Sequence, residues 1–432
     1  MADRFDLLVV GGGPGGYACA ARAAELGLRV ALAEPAELGG VCLNRGCIPT
    51  KGLLAGAGVA LAERVAMNDA AIAALRRGIA QLLKKVAVLP GAARLAGPGV
   101  ADVAGHGEVR FRHVVLATGS RPRPLAGLPF DGARVLSSDH AVAPGAVPGH
   151  LVVIGAGAVG VEFAEIFRAR GARVTLVEAR ERLLPGEDPW LARHLERAFG
   201  AAGIDMLCGA AVTAATVTAE GIALRVAGPD GERELAADQV LVAVGRDPNL
   251  SGLGLDAVGL DPQPWGIPVD GHGRTAVDGV LAIGDLSGPP LLAHRAHAQG
   301  RIAAEWLAGR NPAPLDAMLI PACIYTHPQL ASVGVGAGPD RVTGEAIFRA
   351  NGMAVVTGQV AGGVRLVADG AGRLAGAQLA GAGVTDLAGL LGACIRAGMT
   401  VHDLAAAVFP HPTLSETVWE AAHAVSRRLE RG

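Results

Sequence analysis

The 432-residue chain is too long for one ordinary domain, and 51% apolar residues are enough to fill several cores. A formal net charge of −2, from 38 basic and 40 acidic residues, excludes the electrostatic footprint of a nucleic-acid or anionic-membrane binder. No run of about eighteen apolar residues is free of charges or glycine breaks, which excludes a membrane-spanning helix. Six cysteines in so long a chain do not make a secreted disulfide scaffold, so the expected compartment is the reducing cytoplasm.

Taken in chain order, residues 5–34 read as a buried strand, a glycine-rich turn, an alanine-rich helix and a second strand ending at Glu34. The segment GGVCLNRGCIPTK follows at 39–51, and helical patterns run over 50–65 and 69–87, with Asn68 and Asp69 as the start of the second. A buried strand closes in VVLATGSRP at 114–122. From 151 the first pattern returns: Gly11, Gly13, Gly16 and Glu34 map onto Gly155, Gly157, Gly160 and Glu178 at one constant offset of 144. VLVAVGRDP at 240–248 echoes 114–122, so the chain holds two copies of one nucleotide-binding fold. Short apolar runs and turn residues over 205–238 predict a small antiparallel sheet inside the second copy. From about 318 the pattern changes. Residues 347–379 read as antiparallel strands, and 385–399 and 400–408 as helices, which makes a third, α+β domain.

Each G-x-G-x-x-G follows a predicted strand, opens a helix and has an acid at the end of the next strand. Glycines there let the backbone approach a pyrophosphate, and the helix N-terminus offers unpaired N–H groups and positive dipole. Glu34 and Glu178 are placed to accept hydrogen bonds from ribose hydroxyls. A packing turn with no ligand is the competing reading, and two matched copies weigh against it. Cys42 and Cys47 are five apart, about 140° around an ideal helix, so a distorted turn is needed to bring them together. Gly46 and Pro49 permit one, and a thiol at a helix N-terminus favours thiolate. Three readings stand at this point: a redox pair, a metal site lacking further nearby ligands, or two buried structural cysteines. The last is the expectation for Cys19, Cys208, Cys323 and Cys394. Lysine occurs only at 51, 84 and 85, which makes Lys51 conspicuous in an arginine-rich chain.

GGVCLNRGCIPTK resembles the redox segment of the pyridine nucleotide–disulfide oxidoreductase flavoproteins. ATGSRP (117–122), AVGRDPN (243–249), GVLAIGD (279–285), LLAHRA (291–296), PACIYTHPQLASVG (321–334) and HPTLSE (411–416) follow in that family's order, so the resemblance covers nearly the whole chain. It implies an α/β fold of two Rossmann-like domains and a C-terminal α+β dimerisation domain. The FAD domain would span 1–145, completed by 267–318. The NAD domain would span 146–266, and the dimerisation domain 319–432. FAD would be held by Gly11, Gly13, Gly16 and Glu34, with Ala93 near its adenine, Asp285 at the ribityl–phosphate region and Ala293 at the ring. NAD would be held by Gly155, Gly157, Gly160 and Glu178, and Ser120, Val212 and Gly245 would also line the nucleotide sites. Lys51 would sit at the flavin edge, paired with Glu162.

The resemblance further implies a redox disulfide between Cys42 and Cys47 and a base, His411, oriented by Glu416 and supplied by the partner subunit of a homodimer. The implied activity is oxidation of a dithiol, foremost dihydrolipoamide, with NAD⁺, on a lipoyl-bearing protein or complex. His294 and His327 lie in family motifs and are expected to be structural or substrate-channel residues. The rivals are a glutathione-reductase-like enzyme and a non-catalytic flavoprotein subunit. The absence of cysteine after Cys394 argues against relatives that need a C-terminal thiol pair. The chain is shorter than typical members, with gaps near 66–69 and 335–346, and GAGVTD at 381–386 departs from the family's usual turn.

Overall fold

A computed structural model describes residues 4–56 and 58–431. The chain divides into two compact units: Met1–Arg123 with Ser138–Pro144 and Gly245–Asp316, and Pro124–Ser137 with Gly145–Val244 and Ala317–Gly432.

The first unit is organised by the apolar run Phe5–Val10. Leu7, Leu8, Val9 and Val10 are all buried, which suits a strand covered on both faces. It lies between Val30–Glu34 and Gly107–Leu116, parallel to both, with Val9 opposite Leu32 and Val115. Ala87–Pro90 extends the sheet beyond Val30–Glu34, and Val280–Ala282 pairs with the end of Gly107–Leu116. Val100–Val103 and Ala93–Gly97 continue from the start of Gly107–Leu116 as an antiparallel flap. Helix Pro14–Glu25 packs on helix Ala293–Leu307 at a crossing where a Cβ on Gly300 would stand 2.3 Å from the Gly15 carbonyl oxygen.

The second unit opens with five parallel strands in the order Asp205–Cys208, Arg173–Glu178, His150–Ile154, Gln239–Val242, Val135–Leu136. A three-stranded antiparallel meander, Ala211–Val217, Ile222–Gly228 and Gly231–Ala237, lies beside them. The C-terminal part is a five-stranded antiparallel sheet in the order Ala322–Ile324, Gln329–Gly334, Leu374–Gly381, Gly363–Ala368, Val342–Ile347. Helices Val384–Arg396 and Glu416–Leu429 cover it, and Phe348, Val364, Leu366, Leu379 and Val425 form its core.

Four expected elements fall differently. The helix expected over 50–65 is Cys47–Ala55, and residues 61–65 belong to the next helix. The second early helix spans Leu61–Leu82 and does not begin at Asn68 or Asp69. Asn68 is buried in its third turn and donates Nδ2 to the Pro49 carbonyl at 3.0 Å, so this cap-type residue is used for helix-to-helix packing. Residues 205–208 form a parallel edge strand and do not join the meander. Within the stretch expected to be strand, Gly352–Val356 is a short helix capped by Asn351, whose side chain accepts from the Ala354 amide.

Candidate active site

The cysteine segment is built from two short helices, Gly40–Arg45 and Cys47–Ala55, broken at Gly46. A Cβ at Gly46 would stand 3.0 Å from the Val41 carbonyl oxygen and 3.2 Å from Cys42 Cα, so a larger residue would crowd this close fold-back. The fold-back brings Cys42 and Cys47 together as two hydrogen-bonded thiols, both partly buried. That hydrogen bond to Cys47, followed by burial, pushes the Cys42 thiol above its ordinary value, while the Lys51 ammonium works in the opposite direction. Cys47 is the first residue of its helix, at the positive end of the dipole. The Thr50 hydroxyl donates to the Gly46 carbonyl at 2.7 Å and closes the first turn. Tyr17, on the helix after the first glycine turn, has its phenol pushed up by burial and by the negative charge available at Cys42.

The two glycine turns are near-copies. Gly11 and Gly155 have φ of +106° and +100°, and a Cβ on either would stand 2.4 or 2.5 Å from the carbonyl oxygen of Ala117 or Ala243. A Cβ on Gly16 or Gly160 would stand 1.8 Å from the Gly11 or Gly155 carbonyl oxygen, which sets the contact of helix with strand. At the middle glycines the backbone is open: the nearest atom to a Cβ on Gly13 is Gly40 Cα at 3.9 Å, and none lies within 4 Å at Gly157. This division of labour, tight turn, open approach and close packing, is what a pyrophosphate on a helix N-terminus requires. Glu34 accepts from the Gly12 amide at 2.6 Å and the Ala36 amide at 2.9 Å. Glu178 accepts from Ala156 at 2.7 Å and Arg180 at 2.8 Å. Both carboxylates are thus held in place at the ends of their strands. The residues present fit two dinucleotides.

Asp285 accepts from the Ser120 hydroxyl at 2.5 Å, and Arg246 Nε donates to the same hydroxyl at 2.7 Å. Gly245, with φ of +117°, stands just before Arg246. Ala293 is the first residue of its helix, Ala93 is buried on the antiparallel flap, and Val212 is half-buried on the meander. Sequence reasoning missed the support beneath Asp285. Gln299 accepts from the Gly284 amide at 2.8 Å, and Arg295 donates to the Gly288 carbonyl at 2.5 Å. Both are buried, and burial lowers the Arg295 guanidinium. Their i, i+4 spacing on an otherwise small-residue helix face was the available signal.

In the second unit, His411 Nδ1 meets Glu416 Oε1 at 2.9 Å, while Glu416 Oε2 accepts from the Thr413 amide at 2.9 Å. The Thr413 amide first, and then His411, hold the Glu416 carboxyl below the usual value. The imidazole is 77% exposed. Glu162 is buried and accepts from the Tyr325 amide at 3.0 Å, which ties its helix to the C-terminal sheet. Lys51 lies on the cysteine helix of the first unit. His327 pairs with Glu165 at 2.5 Å, which raises its imidazole. Among the described residues no cluster of three or more His, Cys, Asp or Glu side chains could hold a metal ion, and no helix is long and apolar enough to cross a membrane.

Two nucleotide folds, with a thiol pair joined to the first, define a nucleotide-dependent oxidoreductase. The chain belongs to the pyridine nucleotide-disulphide oxidoreductase family: that family matches residues 5–300, and its dimerisation domain matches residues 320–422. The family's cofactors are FAD and NAD. The chain is 41% identical over 455 residues to the dihydrolipoyl dehydrogenase of Chlorobaculum tepidum, covering 98% of this chain and 97% of that one. It is 38% identical over 464 residues to dihydrolipoyl dehydrogenase 3 of Pseudomonas aeruginosa, covering 99% of each. Among solved structures it is similar to LpdA from Mycobacterium tuberculosis, with a TM-score of 0.90, 29% identity and coverage of 98% and 99%. It is also similar to the HOCl-induced flavoprotein disulfide reductase RclA from Escherichia coli, with a TM-score of 0.89, 26% identity and coverage of 98% and 100%.

Proposed function

We propose that the chain oxidises dihydrolipoamide, carried on a lipoyl-bearing protein, to lipoamide with NAD⁺, in the cytoplasm and as a homodimer. The observation that carries this reading is the Cys42–Cys47 pair, folded back at Gly46 into hydrogen-bonding contact. His411 accepts the proton of one substrate thiol, its ring oriented by Glu416. The substrate thiolate attacks Cys42 Sγ of the oxidised pair. The Cys42–Cys47 bond breaks, and Cys47 leaves as a thiolate stabilised at its helix N-terminus. The second substrate thiol then loses its proton and attacks the substrate sulfur of the mixed disulfide. This closes the lipoamide ring and releases Cys42. The substrate has lost two electrons and two protons, and the enzyme disulfide has become a dithiol. Bound FAD supplies the two-electron passage from that dithiol to NAD⁺.

His411 serves the cysteine pair of the partner chain, and the family's dimerisation domain at 320–422 supports that arrangement. The assignment of NAD over NADP rests on Glu178, whose carboxylate both binds ribose hydroxyls and repels a 2′-phosphate. Arg182, which could have welcomed that phosphate, donates instead to the Pro185 and Glu187 carbonyls at 3.2 and 2.7 Å. The test is steady-state NADH formation from dihydrolipoamide and NAD⁺ by the purified flavoprotein. Turnover abolished in Cys42→Ser supports the reading; wild-type protein that turns over glutathione or no dithiol at all rejects it.

A further inference from the structure

Between the two cysteines lies Asn44, whose side chain has no part in the exchange chemistry and yet is bonded in several directions. Its Nδ2 group donates to the Gly40 carbonyl at 2.9 Å and the Leu38 carbonyl at 3.1 Å, with a longer bond to Glu37 at 3.4 Å. Its Oδ1 accepts from Arg76 at 2.8 Å. Arg76 reaches over from the helix Leu61–Leu82 and grips the Glu37 carboxylate with both terminal nitrogens, one at 2.6 Å. The loop held this way is the one that touches the first nucleotide turn. The Gly39 amide donates to the Gly12 carbonyl at 2.9 Å, and a Cβ on Gly40 would stand 2.7 Å from Gly13 Cα.

We infer that Arg76, Glu37 and Asn44 form one positioning bracket that holds the Cys42–Cys47 pair in bonding geometry against the first nucleotide turn. The inference rests on the reading of that pair as the redox disulfide. Asn44 lies within the turn that must bend for the sulfurs to meet, and it is fastened to the loop on which Gly12 and Gly13 lean. Arg76 supplies the fixed end, because its helix is packed beneath the cysteine helix through Asn68 and Pro49. A planar guanidinium is suited to this, gripping a carboxylate with two nitrogens while one of them also reaches the amide oxygen. A disulfide whose sulfurs are held at bonding distance resists reduction. Loosening the bracket lowers the effective concentration of one thiol for the other and moves the equilibrium toward the dithiol.

The experiment measures the dithiol–disulfide equilibrium of the intact flavoprotein against a dithiothreitol redox buffer. The proteins compared are wild type, Asn44→Ala, Arg76→Met, Arg76→Lys and the Asn44→Ala/Arg76→Met double variant. The expected shift toward the reduced form is about tenfold for each single loss, corresponding to about 30 mV. The double variant should shift no further than either single, because the residues act as one unit. Arg76→Lys should recover only part of the shift, since an ammonium cannot form the forked grip. Thermal unfolding is followed in parallel. Variants that lose melting temperature but keep the wild-type equilibrium, or whose shifts add independently, would overturn the bracket. Should Asn44→Ala not fold, Arg76→Met alone carries the test, with an unshifted equilibrium counting against it. A wild-type protein that shows no titratable cysteine pair would reject the underlying redox reading as well, which separates the two failures.

Discussion

Cys19 and Cys42 are both thiols of the first unit, but their surroundings assign them different behaviour. Cys19 is wholly buried, and burial alone pushes its thiol up to about 12. Cys42 is partly exposed and hydrogen-bonded to Cys47. After reduction, iodoacetamide at mildly alkaline pH should therefore label the accessible pair, foremost Cys47 at its helix N-terminus, and leave the inaccessible Cys19 unlabelled in the folded protein, as peptide mass mapping would read. Labelling of Cys19 at a comparable rate would contradict the burial argument. At the other pole of the chemistry, His411→Gln should slow dithiol oxidation by about 10²–10⁴-fold with FAD retained. Glu416→Gln should cost less, because Glu416 orients the ring and does not take the proton. The depressed Glu416 carboxyl also has a pH signature. Its bonds contribute above its ordinary value near 4.5 and are lost as pH falls through the lower folded value. Protection of the Thr413 amide, relative to its intrinsic exchange rate, should fall in that acid window in the wild type, and Glu416→Gln should remove that fall.

At the scale of elements, the two glycine turns are separable. Gly16→Ala places a Cβ 1.8 Å from the Gly11 carbonyl oxygen, and Gly160→Ala does the same at Gly155. The first should yield protein depleted of yellow flavin. The second should keep the flavin and lose nicotinamide nucleotide binding, read by NADH fluorescence titration. Equal loss of both ligands in both variants would contradict the division of roles. These turns were legible in the sequence because a positive φ and a carbonyl within a Cβ radius leave glycine as the one residue that fits, and the pattern occurs twice. The helix boundary at Leu61 was not legible. Asn68 and Asp69 carry the composition of a helix start, and only the packing of Asn68 on Pro49 shows why they stand mid-helix. The parallel placement of Asp205–Cys208 was hidden for a related reason. A four-residue strand carries no periodicity of its own, and its partner, Arg173–Glu178, is distant in sequence. The bracket around Asn44 escaped as well, since its three residues span 40 positions of the chain and only the fold brings them together.

Across the whole molecule, the C-terminal part leaves apolar side chains exposed, with Val408, in the segment between helices Val401–Ala406 and Glu416–Leu429, 98% exposed three residues before His411. Val408→Asp should weaken self-association and dithiol oxidation together while leaving flavin bound, measured by analytical ultracentrifugation beside turnover. A shift in neither would remove this face from the interface. The central claim is that one chain's Cys42–Cys47 pair works with the other chain's His411. The most direct measurement is NADH formation from dihydrolipoamide after subunit exchange between Cys42→Ser and His411→Gln proteins, each nearly inactive alone. Exchange at equal amounts makes half the molecules mixed dimers, each with one intact site, so activity should rise to about a quarter of the wild-type value. If verified exchange restores no activity, or the wild-type protein is fully active as a monomer, the shared site is contradicted.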